Sequence, residues 1–170
     1  MKLVPSDFYM KINRRLSDDV MTELVAFEST VDYKKFIWND MWDGNYYCND
    51  LTNDQLPSGV IETFSEVFDI CENFCFLKNT GNVIKHHDVA RRASVTIPLN
   101  VTDSYTQFWD WDETKYIKLR HNGEVYLQNN KQRHSVKDNG DEFRLFLQLN
   151  FFENDYAWVK QQLDEYKYFQ

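Results

Sequence analysis

Hydrophobic and polar positions change their period partway along the chain. Val20, Met21, Leu24, Val25 and Phe27 recur at helical spacing after Ser17-Asp18-Asp19. In that pattern Ser17 caps a helix and the two acids meet its positive end. Residues 39–57 are rich in Asn, Asp and aromatics and close on Pro57, which predicts a long irregular segment. Ser58 then reads as the cap of a second helix carrying Val60, Ile61, Phe64, Val67, Phe68 and Cys71.

From about residue 73 the period falls to two. Phe74–Leu77 and Asn82–His86 predict short strands around Thr80-Gly81. Ala93, Val95, Ile97 and Leu99 alternate with Arg92, Ser94, Thr96 and Pro98, a strand with one apolar face. Tyr116, Ile117 and Leu119 lead through His121-Asn122-Gly123-Glu124 to Val125-Tyr126-Leu127, and Asn-Gly between such runs predicts a hairpin. A second turn, Lys137–Gly140, separates His134–Val136 from a long strand running from Glu142 to about Phe152. A short amphipathic helix follows Asp155. Helices first, antiparallel strands next and a closing helix favour an α+β or barrel architecture, most simply a mainly β double-sheet jelly roll with flanking helices. One domain is expected: a helical or irregular part over about 1–72, a β core over about 73–152, and a C-terminal helix over 153–170.

Composition narrows the classes. A chain of 170 residues, 42% hydrophobic and 16% aromatic, is long enough to bury a core without disulfides. No run approaches about 18 apolar residues and the N-terminus lacks a signal-peptide core. A soluble cytoplasmic protein away from membranes is the expectation. A net charge of −8 argues against sequence-independent nucleic-acid binding. Cys48, Cys71 and Cys75 contain no CxxC pair and read as small buried thiols in a reducing compartment rather than as a disulfide or zinc site. With 5 glycines in the chain, no glycine-rich phosphate loop exists.

The candidate chemistry rests on four groups. His86-His87-Asp88 supplies H-x-D at the end of one strand, and His134 begins another. In extended backbone, residues i and i+2 point the same way, so His86 and Asp88 share a side while His87 points elsewhere. Two neutral imidazoles and a carboxylate on one face of a metal form the facial triad of non-heme Fe(II) oxygenases, with positions left open for a chelating co-substrate and O2. Arg144 alternates with Phe143 and Leu145, sharing its face with Phe146 and Gln148. A guanidinium on the inner face of a sheet is costly unless an anion meets it, and its planar fork suits a carboxylate such as the distal group of 2-oxoglutarate. Arg92, on the face of Ser94 and Thr96, is a candidate contact to co-substrate or substrate. Pairing of Arg144 with Asp141 or Glu142, and solvated roles for Arg91 and Arg92, are the bland alternatives. The acidic aromatic stretch Trp109–Glu113 reads either as an edge loop or as a cover over the pocket.

The stretches His86–Asn100, Arg133–Val136 and Phe143–Phe146 resemble the Fe(II)/2-oxoglutarate-dependent dioxygenases, and among them small aspartyl/asparaginyl β-hydroxylase-like, phage or marine bacterial members. The resemblance spans about residues 73–152. It implies a double-stranded β-helix (cupin-like) core, Fe(II) held by His86, Asp88 and His134, and Arg144 on the C5 carboxylate of 2-oxoglutarate, with Arg92 and Ser94 as further co-substrate contacts. It further implies hydroxylation of an unactivated C–H, coupled to decarboxylation of 2-oxoglutarate to succinate, on a small-molecule or peptidyl substrate. Asp88 argues against a halogenase, which needs that position vacant. The rival readings are a cupin-like metal-binding protein that does not turn over 2-oxoglutarate, and a metal-dependent isomerase or dioxygenase with no use for Arg144.

Overall fold

The computed structural model describes residues 3–36, 44–140 and 142–169. Residues 39–43 of the expected irregular segment, and Asp141, lie outside the described residues. The chain runs β1 (Tyr9–Lys11), α1 (Asp18–Glu28), β2 (Lys34–Phe36), β3 (Tyr46–Asp50), α2 (Ser58–Thr63) and α3 (Ser65–Ile70). It continues with β4 (Asn73–Asn79), β5 (Val83–His86), β6 (Ala93–Pro98), β7 (Ser104–Trp109), β8 (Tyr116–Arg120), β9 (Tyr126–Asn129), β10 (His134–Asp138), β11 (Arg144–Phe151) and α4 (Tyr156–Glu165).

Two antiparallel sheets carry the fold. Among the described residues the large one has the order β1-β9-β6-β11-β4-β3-β2 and the small one β5-β10-β7-β8. From β4 onward successive strands mostly switch sheet, and β7–β8 is the one consecutive pair of this core within a single sheet. This is the double-stranded β-helix arrangement. It corrects the hairpin expectation and shows where the second turn leads. The Asn122-Gly123 turn joins β8 in the small sheet to β9 in the large one, and Lys137–Gly140 lies between β10 and β11, again across sheets. Gly81 (φ +81°) and Gly123 (φ +82°) supply the left-handed backbone at two of these crossings.

The large sheet is amphipathic in an unusual sense. Phe74, Phe76, Val95, Ile97, Leu127, Leu147, Leu149 and Phe151 point away from the small sheet, into a continuous apolar cluster with Leu24, Val60, Phe64, Val67, Val159 and Leu163 of the helices. Each such side chain contributes about 1.5–3 kcal/mol by leaving water. The opposite face carries Cys75, Asn79, Ser94, Thr96, Arg144, Gln148 and Asn150, all buried between the sheets. That polar interior is where the site sits.

The N-terminal part differs from its expectation because it supplies three strands to the large sheet as well as helices. Within 39–57, β3 pairs with β4, and Asn53–Gln55 forms a 3-10 turn. Ser17 caps α1 through a bond accepted from the Val20 N–H. The second helix is broken at Phe64 into α2 and α3, and Pro57 rather than Ser58 holds the N-cap position. No described helix is long and apolar enough to cross a membrane.

Candidate metal centre and its two cavities

Strand register brings the two distant histidines together. His134 of β10 stands opposite His86 of β5, with Phe108 of β7 on its other side. The imidazole centroids are 4.4 Å apart. Asp88 follows β5 in a loop whose backbone is tied to the β9–β10 connection by Asp88 N–H donating to Asn130 O at 3.0 Å. One ligand atom from each of His86, Asp88 and His134 lies within 4.8 Å of the others.

Each imidazole is oriented in the same way. His86 Nδ1 is 2.8 Å from Ile84 O and His134 Nδ1 is 2.8 Å from Gln132 O. A carbonyl only accepts, so both Nδ1 atoms carry the proton and both Nε2 lone pairs turn inward. These lie 3.4 Å (His86) and 3.9 Å (His134) from Asp88 Oδ1. Asp88 Oδ2 faces away and accepts from Arg91, at 2.7 Å from Nε and 2.6 Å from Nη2. Three donors of nitrogen and oxygen type, with their protons already disposed, fit a ferrous ion.

The electrostatics agree with that disposition. Burial pushes the pKa of Asp88 up, but Arg91 and the two histidines outweigh it and hold the carboxyl well below its usual range. Burial depresses His134 to about 4, so its ring is neutral at physiological pH. His86 moves the other way: burial disfavours its charged form, yet Asp88 and the Ile84 carbonyl outweigh that.

Two cavities meet at this cluster, sharing Tyr46, Val83, His86, Arg91 and Gln148. The smaller, about 110 Å³, lies between the sheets and runs from His134 to His121 and Arg144. The larger, about 400 Å³, opens past Asp88 and is walled by Cys48, Asp50, Cys75 and Asn150.

Arg144 is 1% exposed. It donates from Nη2 to Gly81 O at 2.8 Å, and its Nε is 3.9 Å from Asp138 Oδ2, a carboxylate that also receives the Gly81 N–H. Asp138 is thus an acidic neighbour among the described residues; Glu142 is exposed, and Asp141 lies outside the described residues. Arg92 requires a correction: it is exposed and lines neither cavity, whereas Arg91 lines both. The cause is that 87–92 is loop and β6 begins at Ala93, so strand parity does not extend back to Arg92. Ser94 is fully buried and donates to Asn130 Oδ1 at 2.9 Å, so it supports a cavity-lining residue without lining the cavity itself. His87 is exposed at the mouth of the larger cavity. In the Trp109–Glu113 stretch, Trp109 ends β7 and donates to Ser135 Oγ, while Trp111 is 86% exposed.

His121 was expected at a hairpin tip. Its backbone N–H instead bonds Ser104 O, extending the small sheet, and its ring turns inward to line the cavity beside Arg144. Nδ1 is 2.6 Å from Ser104 Oγ and Nε2 is 3.0 Å from Thr106 Oγ1, with Phe146 edge-on at 5.6 Å. Burial, helped by Arg144, lowers its pKa to about 3. Between that value and the ordinary 6.5 the unfolded chain takes up a proton that the folded one refuses. This contribution to stability is therefore complete above pH 6.5 and falls as pH drops. Urea unfolding at pH 7.5 and pH 5 should show wild type losing about 2 kcal/mol more than His121→Gln. Equal losses would show that His121 is protonated in the folded protein.

Comparison with protein-family models and with curated proteins found no match. Solved structures do match. A prolyl hydroxylase from Trichoplax adhaerens, in complex with a hypoxia inducible factor oxygen degradation domain peptide, is 15% identical, with a TM-score of 0.63 over 94% of this chain and 87% of that one. A Pseudomonas putida prolyl-4-hydroxylase is 12% identical, with a TM-score of 0.53 over 86% and 93%. An oxidoreductase of the 2OG-Fe(II) oxygenase family from Burkholderia pseudomallei is 10% identical, with a TM-score of 0.56 over 79% and 78%. At such identities the likeness is one of fold.

Proposed function

We propose that the chain is an Fe(II)- and 2-oxoglutarate-dependent oxygenase that hydroxylates a small-molecule or peptidyl substrate. The observation that carries this reading is the convergence of His86 Nε2, His134 Nε2 and Asp88 Oδ1, with Arg144 buried in a cavity that begins at the same histidines. A fold shared with prolyl hydroxylases and a 2OG-Fe(II) oxygenase supports it.

His86, Asp88 and His134 hold the ferrous ion, and Arg144 takes the C5 carboxylate of 2-oxoglutarate at the far end of the smaller cavity. When bound, the iron supplies activation of O2, coupled to oxidative decarboxylation of the 2-oxoacid. The protein's part is placement. Ile84 and Gln132 carbonyls fix the imidazole tautomers, and Arg91 holds one carboxylate oxygen of Asp88 so that the other meets the histidines. Neutral His121 keeps a second positive charge away from Arg144 and, with Phe146, limits water around the diacid. Substrate approaches through the larger cavity, on the Arg91 side.

The test is anaerobic addition of Fe(II) and 2-oxoglutarate, followed by air. A weak visible charge-transfer band, then succinate formed in proportion to 2-oxoglutarate consumed, is the expected result. Iron binding without that band would favour a cupin-like metal protein. Arg91→Met should weaken Fe(II) binding about 10–100-fold, as loss of an outer partner of a ligand does, read by competition with a chelator. Unchanged affinity would remove Arg91 from the account.

A further inference from the structure

The larger cavity contains a second constellation of ligand type. Cys48 and Asp50 project from β3 and Cys75 from β4, and one ligand atom from each lies within 4.8 Å of the others. Register explains the cluster. Asp50 stands directly opposite Cys75, and Cys48 opposite Leu77, so Cys48 and Cys75 are diagonal neighbours on one face. Diagonal positions have Cα atoms about 7–8 Å apart, beyond the reach of an unstrained disulfide, which needs about 4.4–6.8 Å. Two sulfurs bridged by a metal tolerate more: with metal–sulfur bonds of about 2.3 Å in a tetrahedron they sit about 3.8 Å apart. The three ligand atoms already lie within 4.8 Å of one another, close to that spacing.

The surroundings suit thiolates. Asn150 Nδ2 donates toward Cys75 Sγ at 3.7 Å, and Asp50 is positioned by Asn73 Nδ2 at 3.4 Å from its Oδ1. The charged groups facing the cluster are Arg91, Asp88 and Asp50 itself, so a divalent ion meets a site that is net anionic once both thiols are deprotonated.

We propose that Cys48, Asp50 and Cys75 form a second metal site, a thiolate–carboxylate cradle for one zinc-class divalent ion whose fourth position opens into the larger cavity. The donor set separates it chemically from the His86–Asp88–His134 centre, since thiolates select soft and borderline ions where imidazole and carboxylate accept ferrous iron. Loading releases the thiol protons of Cys48 and Cys75 to solvent, and two metal–sulfur bonds form with no change of oxidation state.

The experiment is Co(II) and Zn(II) titration of the full chain, kept reduced with a phosphine. Wild type should show a near-ultraviolet thiolate-to-cobalt band and bind two equivalents of zinc. His134→Ala should keep the band and lose one equivalent. Cys48→Ser and Cys75→Ser should lose the band, Cys71→Ser should keep it, and Asp50→Asn should keep it with affinity weakened about 10-fold or more. Absence of the band in wild type, or its survival in the Cys48→Ser and Cys75→Ser variants, overturns the proposal. Because the band arises from sulfur, failure here is distinguishable from failure of the iron and 2-oxoglutarate reading.

Discussion

Replacing His134 with alanine is expected to lower Fe(II)-dependent succinate formation by at least about 1,000-fold, because metal catalysis is worth several kcal/mol and two remaining ligands hold iron poorly. The residue is 7% exposed, with its ring wedged between His86 and Phe108, so a packing defect contributes to any loss. His134→Gln separates the two effects. It keeps much of the volume but replaces an imidazole nitrogen with a weakly ligating amide, and it should be nearly as inactive with its unfolding midpoint close to wild type. Turnover within about 10-fold of wild type in either variant would show that β10 does not supply a ligand.

The second large effect concerns Arg144. Arg144→Lys preserves the charge but removes the planar fork, and it should raise the 2-oxoglutarate concentration needed for half-maximal turnover about 100-fold or more. Iron affinity measured without 2-oxoglutarate should change little, because the metal ligands lie at the other end of the cavity. If iron binding and 2-oxoglutarate dependence shift together, the arginine braces the β4–β5 crossover through Gly81 and Asp138 and does not anchor a diacid.

Much of this molecule was legible where local pattern and tertiary role coincide. The helix after Ser17 was readable because its cap, acids and apolar stripe are all local. The two faces of β11 were readable because strict alternation survives wherever both faces of a strand are buried against different partners. His86 and Asp88 do meet, although Asp88 lies in the loop beyond β5, where alternation no longer governs direction.

The failures have a common physical origin. Asn-Gly specifies a tight reversal, and Asn122-Gly123 makes one, but nothing local says whether the next strand returns to the same sheet or crosses to the facing one. His121 was placed at an exposed tip for that reason, although its N–H in fact continues the ladder to Ser104. Arg91 and Arg92 were exchanged because alternation was extended past the start of β6 into loop. β3 lacks a readable alternation because its cavity-lining residues, Tyr46, Cys48 and the exposed Asp50, are polar or mixed, unlike the apolar face of an ordinary half-buried strand.

The helix-backed side of the large sheet has an evolutionary corollary. Cohesion resides on one surface of the strands and chemical selectivity on the other. Truncating Leu147 to alanine removes about 2–5 kcal/mol of what keeps the chain folded. A polar-for-polar exchange one residue along, at Gln148, alters what the enclosed chamber accepts and leaves the greasy layer untouched. A scaffold so divided tolerates wide divergence of its inner wall, and lineages that share its shape are free to lose nearly all resemblance in sequence.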